Sequence, residues 1–221
     1  MRKITGAAFV SLDGVMQAPG GPTEDWTGGF QHGGWLAGLF DEAVGNRIDR
    51  LFAGEFDLLL GRRTYDIFAA FWPFAGDEQK DIRDPFNLAT KYVVTAGDQP
   101  LPWHNSRRLP GIDAVAALKQ TAGPDLVIQG SSLLYPQLLA SGLLDELVLM
   151  IFPLVLGSGK RLFGEGMPAS AMRMIEHEVT PAGSIIVTLQ PAGAVQTGSF
   201  PSPEASVAEK ERQGRMAAGT W

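Results

Sequence analysis

Short apolar runs alternate along this chain with segments of helical periodicity, and this alternation limits the possible folds more than any other feature. Apolar runs rich in β-branched residues or leucine lie at residues 4–10, 56–60, 92–95, 126–128 and 146–152. Helix-like segments lie between them at residues 35–52, 64–71, 112–121 and 132–141. Such alternation is typical of parallel strands joined by helices. We therefore predict an α/β fold with helices on both faces of a mostly parallel central sheet.

The end of the chain departs from this alternation. Strand-like residues 172–179 and 184–190 lie on either side of the turn sequence TPAG, which predicts an antiparallel C-terminal hairpin at one edge of the sheet. Residues 191–221 are rich in Ala, Ser, Gly and Glu and form at most one marginal helix with little to bury. We expect one domain at residues 1–190 and a tail that is flexible or packed on a partner subunit.

Composition excludes several classes of function. The 221 residues are 45% hydrophobic, enough for one sizeable core, and carry a net charge of −6, which argues against nucleic acid and anionic membranes as partners. The absence of cysteine excludes disulfides, cysteine–zinc sites and thiol catalysis, and we predict no metal site. The longest apolar run, residues 147–156, is about half the length of a membrane helix, so we expect a cytoplasmic protein.

A turn with two adjacent arginines lies where the second predicted strand becomes a helix. It consists of Gly61, Arg62, Arg63 and Thr64 within LLLGRRTYDIF. At the carboxyl end of a strand, the free N–H groups of a helix N-terminus attract anions, and an arginine adds a planar fork for phosphate. The turn is therefore either a phosphate site or an ordinary capped helix with two solvated arginines.

A second turn of this kind follows the strand at residues 126–128. Gly130, Ser131 and Ser132 come before a helix that carries leucines on one face. Alone, such a turn is usually only a helix cap. Two phosphate-suited turns on neighbouring strands indicate one extended ligand with more than one phosphate, as a dinucleotide would be.

A long loop follows the first strand. Residues 15–34 contain eight glycines or prolines around Trp26 and show no hydrophobic period. A loop of this length in a compact domain is usually functional or disordered. It is therefore either a lid over a ligand or a disordered insertion.

These segments together resemble a known enzyme family. The sequences LLLGRRTYDIF, KYVVT and LVIQGSSLLYPQLL, followed by DELVLMIFPLVLGSGKRLF, are similar to dihydrofolate reductase. They resemble more closely the reductase domain of the bacterial riboflavin deaminase-reductase and its stand-alone relatives, over residues 2–190. The resemblance implies a dihydrofolate reductase-like three-layer fold with NADPH as cofactor, and the loop at residues 13–34 as a mobile lid over the nicotinamide.

The resemblance also implies how the first turn binds NADPH. Gly61, Arg62 and Thr64 match the turn that holds the adenosine 2′-phosphate and the pyrophosphate, with Arg62 on the 2′-phosphate. Arg63 adds to the local positive field. Thr95, which ends KYVVT, matches a strand end beside the adenosine.

The second turn has a corresponding role in the family. Gly130, Ser131 and Ser132 match the turn around the pyrophosphate and the nicotinamide ribose, and Tyr135 matches an aromatic position near the nicotinamide. Dihydrofolate reductase has two adjacent glycines where this chain has Gly130 and Ser131, which is a departure from the family pattern.

Candidate catalytic residues come from the acidic residues near the lid. Asp41, with Glu42 next to it, lies at roughly the spacing of the acidic residue that binds pterin in dihydrofolate reductase, and for either of them a solvated helix acid is the alternative. Asp13 is the second candidate, with a role in shaping the lid turn as its alternative. Lys160 and Arg161 are candidates to meet a phosphorylated substrate, or they belong to a solvated turn.

The resemblance implies an NADPH-dependent oxidoreductase that reduces a small heterocyclic substrate, similar to the ribosylaminopyrimidine reductase of riboflavin biosynthesis or to dihydrofolate reductase. The alternative is a non-catalytic nucleotide-binding or sensor protein on the same scaffold. Relatives of this type are commonly dimeric, and the strand ELVLMIFPLVL with the leucine-rich helix before it carries more apolar surface than one small sheet needs. We therefore expect a homodimer.

Overall fold

The computed structural model describes residues 1–201 and 204–220, which contain one eight-stranded sheet. Its strands are β1 (Ile4–Ser11), β2 (Phe56–Gly61), β3 (Lys91–Val94), β4 (Ser106–Leu109), β5 (Asp125–Gln129), β6 (Glu146–Phe152), β7 (Met172–Val179) and β8 (Ile185–Pro191). The spatial order is β4-β3-β2-β5-β1-β6-β8-β7. The strands from β4 to β6 in this order pair in parallel, whereas β8 is antiparallel to both β6 and β7. The predicted α/β fold and its C-terminal hairpin are confirmed.

The helices are α1 (Glu42–Leu51), α2 (Arg62–Phe71), α3 (Lys80–Leu88), α4 (Ile112–Lys119), α5 (Leu134–Ala140) and α6 (Val207–Ala217). Helices α1, α2 and α3 pack on one face of the sheet, and α4 and α5 pack on the other. The sequence of strand β2 is continuously apolar because both faces of the strand are buried. Leu58 and Leu60 belong to the core on one face of the sheet, and Leu59 belongs to the core on the other. The predicted three-layer architecture is therefore correct.

One predicted helix is too long. Residues 35–39 form turns, and α1 begins only at Glu42 because Asp41 is its N-cap, with a carboxylate that accepts a hydrogen bond from the Val44 N–H at 3.0 Å. Gly34, with φ 82°, lies in the left-handed region just before these turns. The apolar side chains of Trp35, Leu36 and Leu39 still pack on the core, which explains why their spacing resembled that of a helix.

Two elements were not predicted. Helix α3 is amphipathic, but it contains an interior proline, Pro85, which disfavours a helix when the sequence is taken alone. Strand β4 has the polar sequence SRRL and lies at the edge of the sheet with Arg107 and Arg108 exposed. The edge strand depends on its pairing with β3, which a local pattern does not reveal.

The loop between β1 and α1 is folded onto the body of the protein. Val15, Ala18 and Phe30 form a small buried cluster of their own. The Gln17 side chain is buried and donates to the carbonyls of Asp25 and Thr27 at 3.0 and 2.9 Å. This packing excludes the alternative of a disordered insertion for the loop.

The described residues of the tail continue from the sheet and belong to none of the buried clusters. Pro191 is still paired with Met172 in the sheet, and backbone hydrogen bonds with Ala171 extend to Ala192 and Gly193. Helix α6 buries none of its residues. Within the part of the chain that the structure describes, no helix is long and apolar enough to cross a membrane.

Candidate functional site

A cleft of about 1180 Å³ lies where β2 and β5 end side by side in the sheet. It exceeds the roughly 300–1,000 Å³ of ordinary small-molecule pockets, so it has room for a dinucleotide and a second small molecule. Its lining comes from the loop at residues 16–25, from α2 along its whole length, and from the two turns after β2 and β5. In open α/β sheets, ligands bind at such carboxyl ends of neighbouring strands.

The N-terminus of α2 opens into this cleft. No side chain caps Gly61, and the first turn of the helix contains no acidic residue, but Arg62 and Arg63 are both there. A helix N-terminus carries a partial positive charge, so two cations destabilise it further unless an anion lies nearby. The free N–H groups of this helix start, with the two arginines beside them, can accept a phosphate group.

The two arginines differ in their partners. Arg62 pairs with Asp66 through Nε at 2.9 Å and donates from Nη1 to the Gln99 carbonyl at 3.0 Å. The hydrogen bond to Asp66 raises the pKa of Arg62. Arg63 is exposed, and no other described residue forms a hydrogen bond or an ion pair with its side chain. Arg63 is thus the arginine whose charge is available to a ligand.

The turn after β5 is bonded to the turn after β2. Ser131 Oγ accepts from the Gly61 N–H at 2.9 Å, and the Ser131 N–H donates to Thr64 Oγ1 at 3.0 Å. Gly130 and Ser131 both have positive φ, 74° and 58°. A Cβ on Gly130 would lie 3.1 Å from Thr64 Cγ2, so both its positive φ and this close approach favour glycine there. The serine adopts the left-handed backbone despite its side chain.

Thr95 and Ser132 also line the cleft, as predicted, but Tyr135 does not. Tyr135 belongs to α5, and its ring is fully buried in the core between this helix and the sheet. Its hydroxyl donates to the Ala7 carbonyl at 3.2 Å. Burial raises the pKa of this phenol. Tyr135 is a core residue because its position in α5 faces the sheet and not the cleft.

The predicted catalytic residue Asp41 is absent from the cleft lining. Its carboxylate caps α1 and accepts a second bond from the Ala182 N–H at 3.1 Å. Hydrogen bonds from Thr180 and Val44 lower its pKa. Asp41 borders a separate surface depression with Glu42 and Arg50. Its position supports helix capping and does not support contact with a ligand in the cleft.

Asp13 is also outside the cleft. Its carboxylate accepts from the N–H groups of Leu156 and Gly157 at 3.0 and 2.9 Å and pairs with Arg161 at 3.2 Å. The bond from Leu156, followed by that from the Ser11 hydroxyl, lowers the pKa of Asp13 well below its usual range. Asp13 therefore ties the lid turn to the segment after β6, which is the structural alternative considered for it.

Several cleft residues were missed in the sequence. Glu24 and Asp25 lie in the lid loop, and Lys160 faces them by pairing with Asp25. An aromatic wall comes mainly from α2 and the residue after it: Phe68, Phe71 and Trp72. The acidic pair within the otherwise glycine-rich loop was a visible signal. Its partner lies about 135 residues further along the chain, and local spacing gives no indication of that contact.

The site contains no metal centre among the residues that the structure describes, since no group of three or more His, Asp or Glu side chains is placed to hold an ion. The site has two linked turns with free N–H donors, an arginine without a partner among the described residues, and an apolar wall. Together with the sheet order, these features define a protein of the dihydrofolate reductase-like fold class with a dinucleotide-sized cleft.

The family model of the RibD C-terminal domain matches residues 2–187. The chain therefore belongs to this family, as the sequence resemblance implied, and its fold is that of the reductases in it. The uncharacterized protein YyaP of Bacillus subtilis is 26% identical over 195 residues, which cover 83% of this chain and 92% of YyaP.

Three solved structures share the fold. A putative riboflavin biosynthesis protein from Shewanella sp. PV-4 has a TM-score of 0.64 at 20% identity, covering 86% of this chain and 99% of its own. A pyrimidine reductase-like protein from Corynebacterium diphtheriae has a TM-score of 0.55 at 13% identity, with coverages of 86% and 92%. Dihydrofolate reductase from Enterococcus faecalis, complexed with NADP(H) and RAB-propyl, has a TM-score of 0.55 at 13% identity, covering 86% of this chain and 96% of its own.

Proposed function

We propose that this protein is a cytoplasmic NADPH-dependent reductase of a small heterocyclic substrate. One observation carries the proposal: the uncapped N-terminus of α2, with Arg62 and Arg63 in its first turn, opens into a cleft large enough for a dinucleotide and a substrate. Membership of the RibD C-terminal domain family supports it. The NADP(H) complex of the dihydrofolate reductase that shares the fold also supports a nicotinamide cofactor.

The residues present fit such a cofactor. Free N–H groups at the start of α2 would meet a phosphate, with Arg63 and Arg62 beside the 2′-phosphate. The turn at residues 130–132 would follow the pyrophosphate, and its bonds to Gly61 and Thr64 hold it ready in the required position. When bound, NADPH supplies a hydride, and the protein contributes orientation and exclusion of water.

The apolar wall provides the second half of the site. Phe68, Phe71 and Trp72 give flat surfaces against which a planar ring can pack. Met16 and Gln17, both buried, line the cleft from the loop after β1. A nucleotide-binding sensor would need only the turns, so this wall favours an enzyme over the non-catalytic alternative.

Calorimetric titration with NADPH and NADH tests the cofactor, and we expect NADPH to bind at least about tenfold more tightly, because an arginine contact to the 2′-phosphate is charge-assisted. Oxidation of NADPH is then followed spectrophotometrically with a panel of pterins, pyrimidines and quinonoid compounds. Turnover with any of them establishes a reductase. Binding of NADPH without turnover across the panel would favour the sensor. Failure of both NADPH and NADH to bind would exclude the reductase and the sensor alike.

A further inference from the structure

The connection between β3 and β4 lies at the margin of the cleft, beside the start of α2. Residues 95–96, which follow β3, and residues 110–111, which follow β4, line the cleft. Gln99 lies in this connection and is exposed, and its backbone carbonyl accepts hydrogen bonds from two arginines. These arginines belong to different elements, Arg62 to α2 and Arg108 to β4.

The two guanidinium groups are neighbours because they share this acceptor. Arg62 Nη1 lies 3.0 Å and Arg108 Nη2 lies 2.7 Å from the Gln99 carbonyl oxygen, so both donors reach a single oxygen atom. Charge-assisted bonds from arginine to a phosphate oxygen have a similar length, about 2.7–2.9 Å. A phosphate oxygen in place of the carbonyl oxygen would therefore accept from both arginines.

A positive charge is in surplus at this point. Asp66 pairs with Arg62 at 2.9 Å, but no carboxylate among the described residues pairs with Arg108. The Gln99 carbonyl is neutral, so it does not compensate a guanidinium charge, and the two like charges repel each other even where water screens them. An anion at the position of this carbonyl would relieve the repulsion.

The register of β4 explains why Arg108 reaches the cleft margin. Arg108 is the partner of Val93, which is buried in the core on the face of the sheet that carries α2, so the Arg108 side chain lies on that face. Arg107 is the partner of Tyr92, which packs against the core on the opposite face. Two adjacent exposed arginines of one strand thus differ in whether they lie on the side of α2.

Building on the proposed function, we propose that Arg108 is a further residue that selects NADPH over NADH. Together with Arg62 it holds the 2′-phosphate, and a phosphate oxygen takes the place of the Gln99 carbonyl oxygen, whose exposed peptide turns away. A phosphate monoester carries a charge of about −1.5 to −2 near neutral pH. With Arg62 paired to Asp66, Arg63 compensates only part of this charge, and Arg108 supplies the second positive charge.

The test is calorimetric titration of NADPH and NADH into the full chain and its variants. Arg108→Ala should weaken the binding of NADPH by about threefold to fivefold and leave the binding of NADH nearly unchanged. The loss is smaller than that expected for Arg63, because Arg108 gives up its bond to Gln99 when it binds the phosphate. Arg108→Lys keeps the charge without the planar fork and should recover part of the loss. The effect of Arg108→Ala should shrink at high salt.

Arg107→Ala is the matched control, since it removes the same charge from the next residue on the other face of the sheet and should change neither affinity. If the wild-type chain prefers NADPH, three results would overturn the inference alone. They are no loss in Arg108→Ala, equal losses for NADPH and NADH, and equal losses in Arg107→Ala and Arg108→Ala, which would indicate a general field of β4 without a contact. If the wild-type chain binds neither cofactor, the proposed function is wrong and the inference with it.

Discussion

The backbone N–H of Ser131 donates to Thr64 Oγ1 at 3.0 Å, and this bond fastens the turn after β5 to the turn after β2. The two turns are 67 residues apart in sequence but are neighbours because β2 and β5 pair in the sheet. The reverse bond, from the Gly61 N–H to Ser131 Oγ, strengthens the connection. Both turns are thus preorganised as one surface for an extended ligand.

Thr64→Val should loosen this surface. The substitution keeps the shape of the side chain but removes the acceptor for Ser131, so we expect the free energy of unfolding to fall by about 1 kcal/mol. Affinity for NADPH and for NADH should fall together, because both cofactors contain the pyrophosphate. Urea unfolding and calorimetric titration measure the two effects. Thr64→Ser retains the hydroxyl and is the control; a loss in the Ser variant with none in the Val variant would show that the methyl group matters and the hydrogen bond does not.

Arg63→Ala should remove most of the preference for NADPH. Arg63 has no partner among the described residues, whereas Arg62 is partly neutralised by Asp66, so Arg63 has more charge to offer the 2′-phosphate. We expect Arg63→Ala to weaken the binding of NADPH by about tenfold or more and to leave the binding of NADH nearly unchanged. Arg62→Ala should weaken NADPH binding less. The difference should shrink at high salt.

Calorimetry of both cofactors against each variant measures these losses. Arg107→Ala removes the same charge from an exposed position on β4 outside the cleft and should change neither affinity. A larger loss of NADPH affinity in Arg62→Ala than in Arg63→Ala would support Arg62 as the residue that contacts the 2′-phosphate, as the resemblance implied. Equal losses for NADPH and NADH would mean that neither arginine contacts the 2′-phosphate.

Much of the fold could be predicted because its strands are buried on both faces. The apolar run at residues 56–60 corresponds to β2, and the TPAG turn correctly marked the hairpin of β7 and β8. Strand β4 was missed because an edge strand of sequence SRRL has no apolar signal. The start of α1 was wrong because Asp41 ends the preceding turns as an N-cap, and hydrophobic spacing alone does not distinguish packed turns from a helix.

The site was predictable where its chemistry is local. Glycines, arginines and hydroxyl residues at the ends of β2 and β5 stood out in the sequence, and they line one cleft. Asp13 and Tyr135 were harder to place, since each bonds to a residue far along the chain, whereas the role of Asp41 as an N-cap rests on its local bond to Val44. Glu24 likewise has no cationic partner among the described residues, and this could be seen only once Lys160 was found to pair with Asp25.

Strand β7 should take part in the homodimer that we propose. The apolar strand β6, which the sequence indicated as surplus surface, is buried between β1 and β8 and is not available. Strand β7 lies at the sheet edge with Met174, Ile175 and Val179 exposed. Ile175→Lys should therefore convert a dimer to a monomer in light scattering at micromolar concentration, whereas Leu88→Lys, at an exposed apolar position on α3, should not. A monomeric wild-type chain would contradict the proposal.

Removal of the tail should have an effect that depends on where the chain is cut. Deletion of residues 194–221 leaves the bonds of Ala192 and Gly193 to Ala171, so we expect the melting temperature and NADPH affinity to stay unchanged. Deletion of residues 191–221 removes those bonds and should cost about 1 kcal/mol in the free energy of unfolding. Calorimetric melting of both truncations makes the comparison. A large loss from the shorter deletion would show that α6 packs on the body or on a partner subunit.

Lys91 should make the stability of the protein rise with pH. Its side chain is fully buried, and its Nζ donates to the carbonyls of Phe86 and Asn87 at the end of α3, at 3.1 and 2.9 Å, next to the Trp103 ring. Burial lowers the pKa of Lys91 to about 8, from 10.5. Between these two values the unfolded chain binds more protons than the folded one, so the free energy of unfolding increases with pH.

We therefore expect the wild-type chain to gain stability relative to Lys91→Met as the pH rises from about 8 to about 10.5, by about 1–3 kcal/mol. Below this window both states carry the proton, and above it neither does, so the difference is constant on either side. Urea unfolding of both proteins across the window measures it. Lys3→Met removes an exposed lysine and should show no such slope. A constant difference between wild type and Lys91→Met would mean that the helix carbonyls and the Trp103 ring keep the ammonium as stable inside the protein as it is in water.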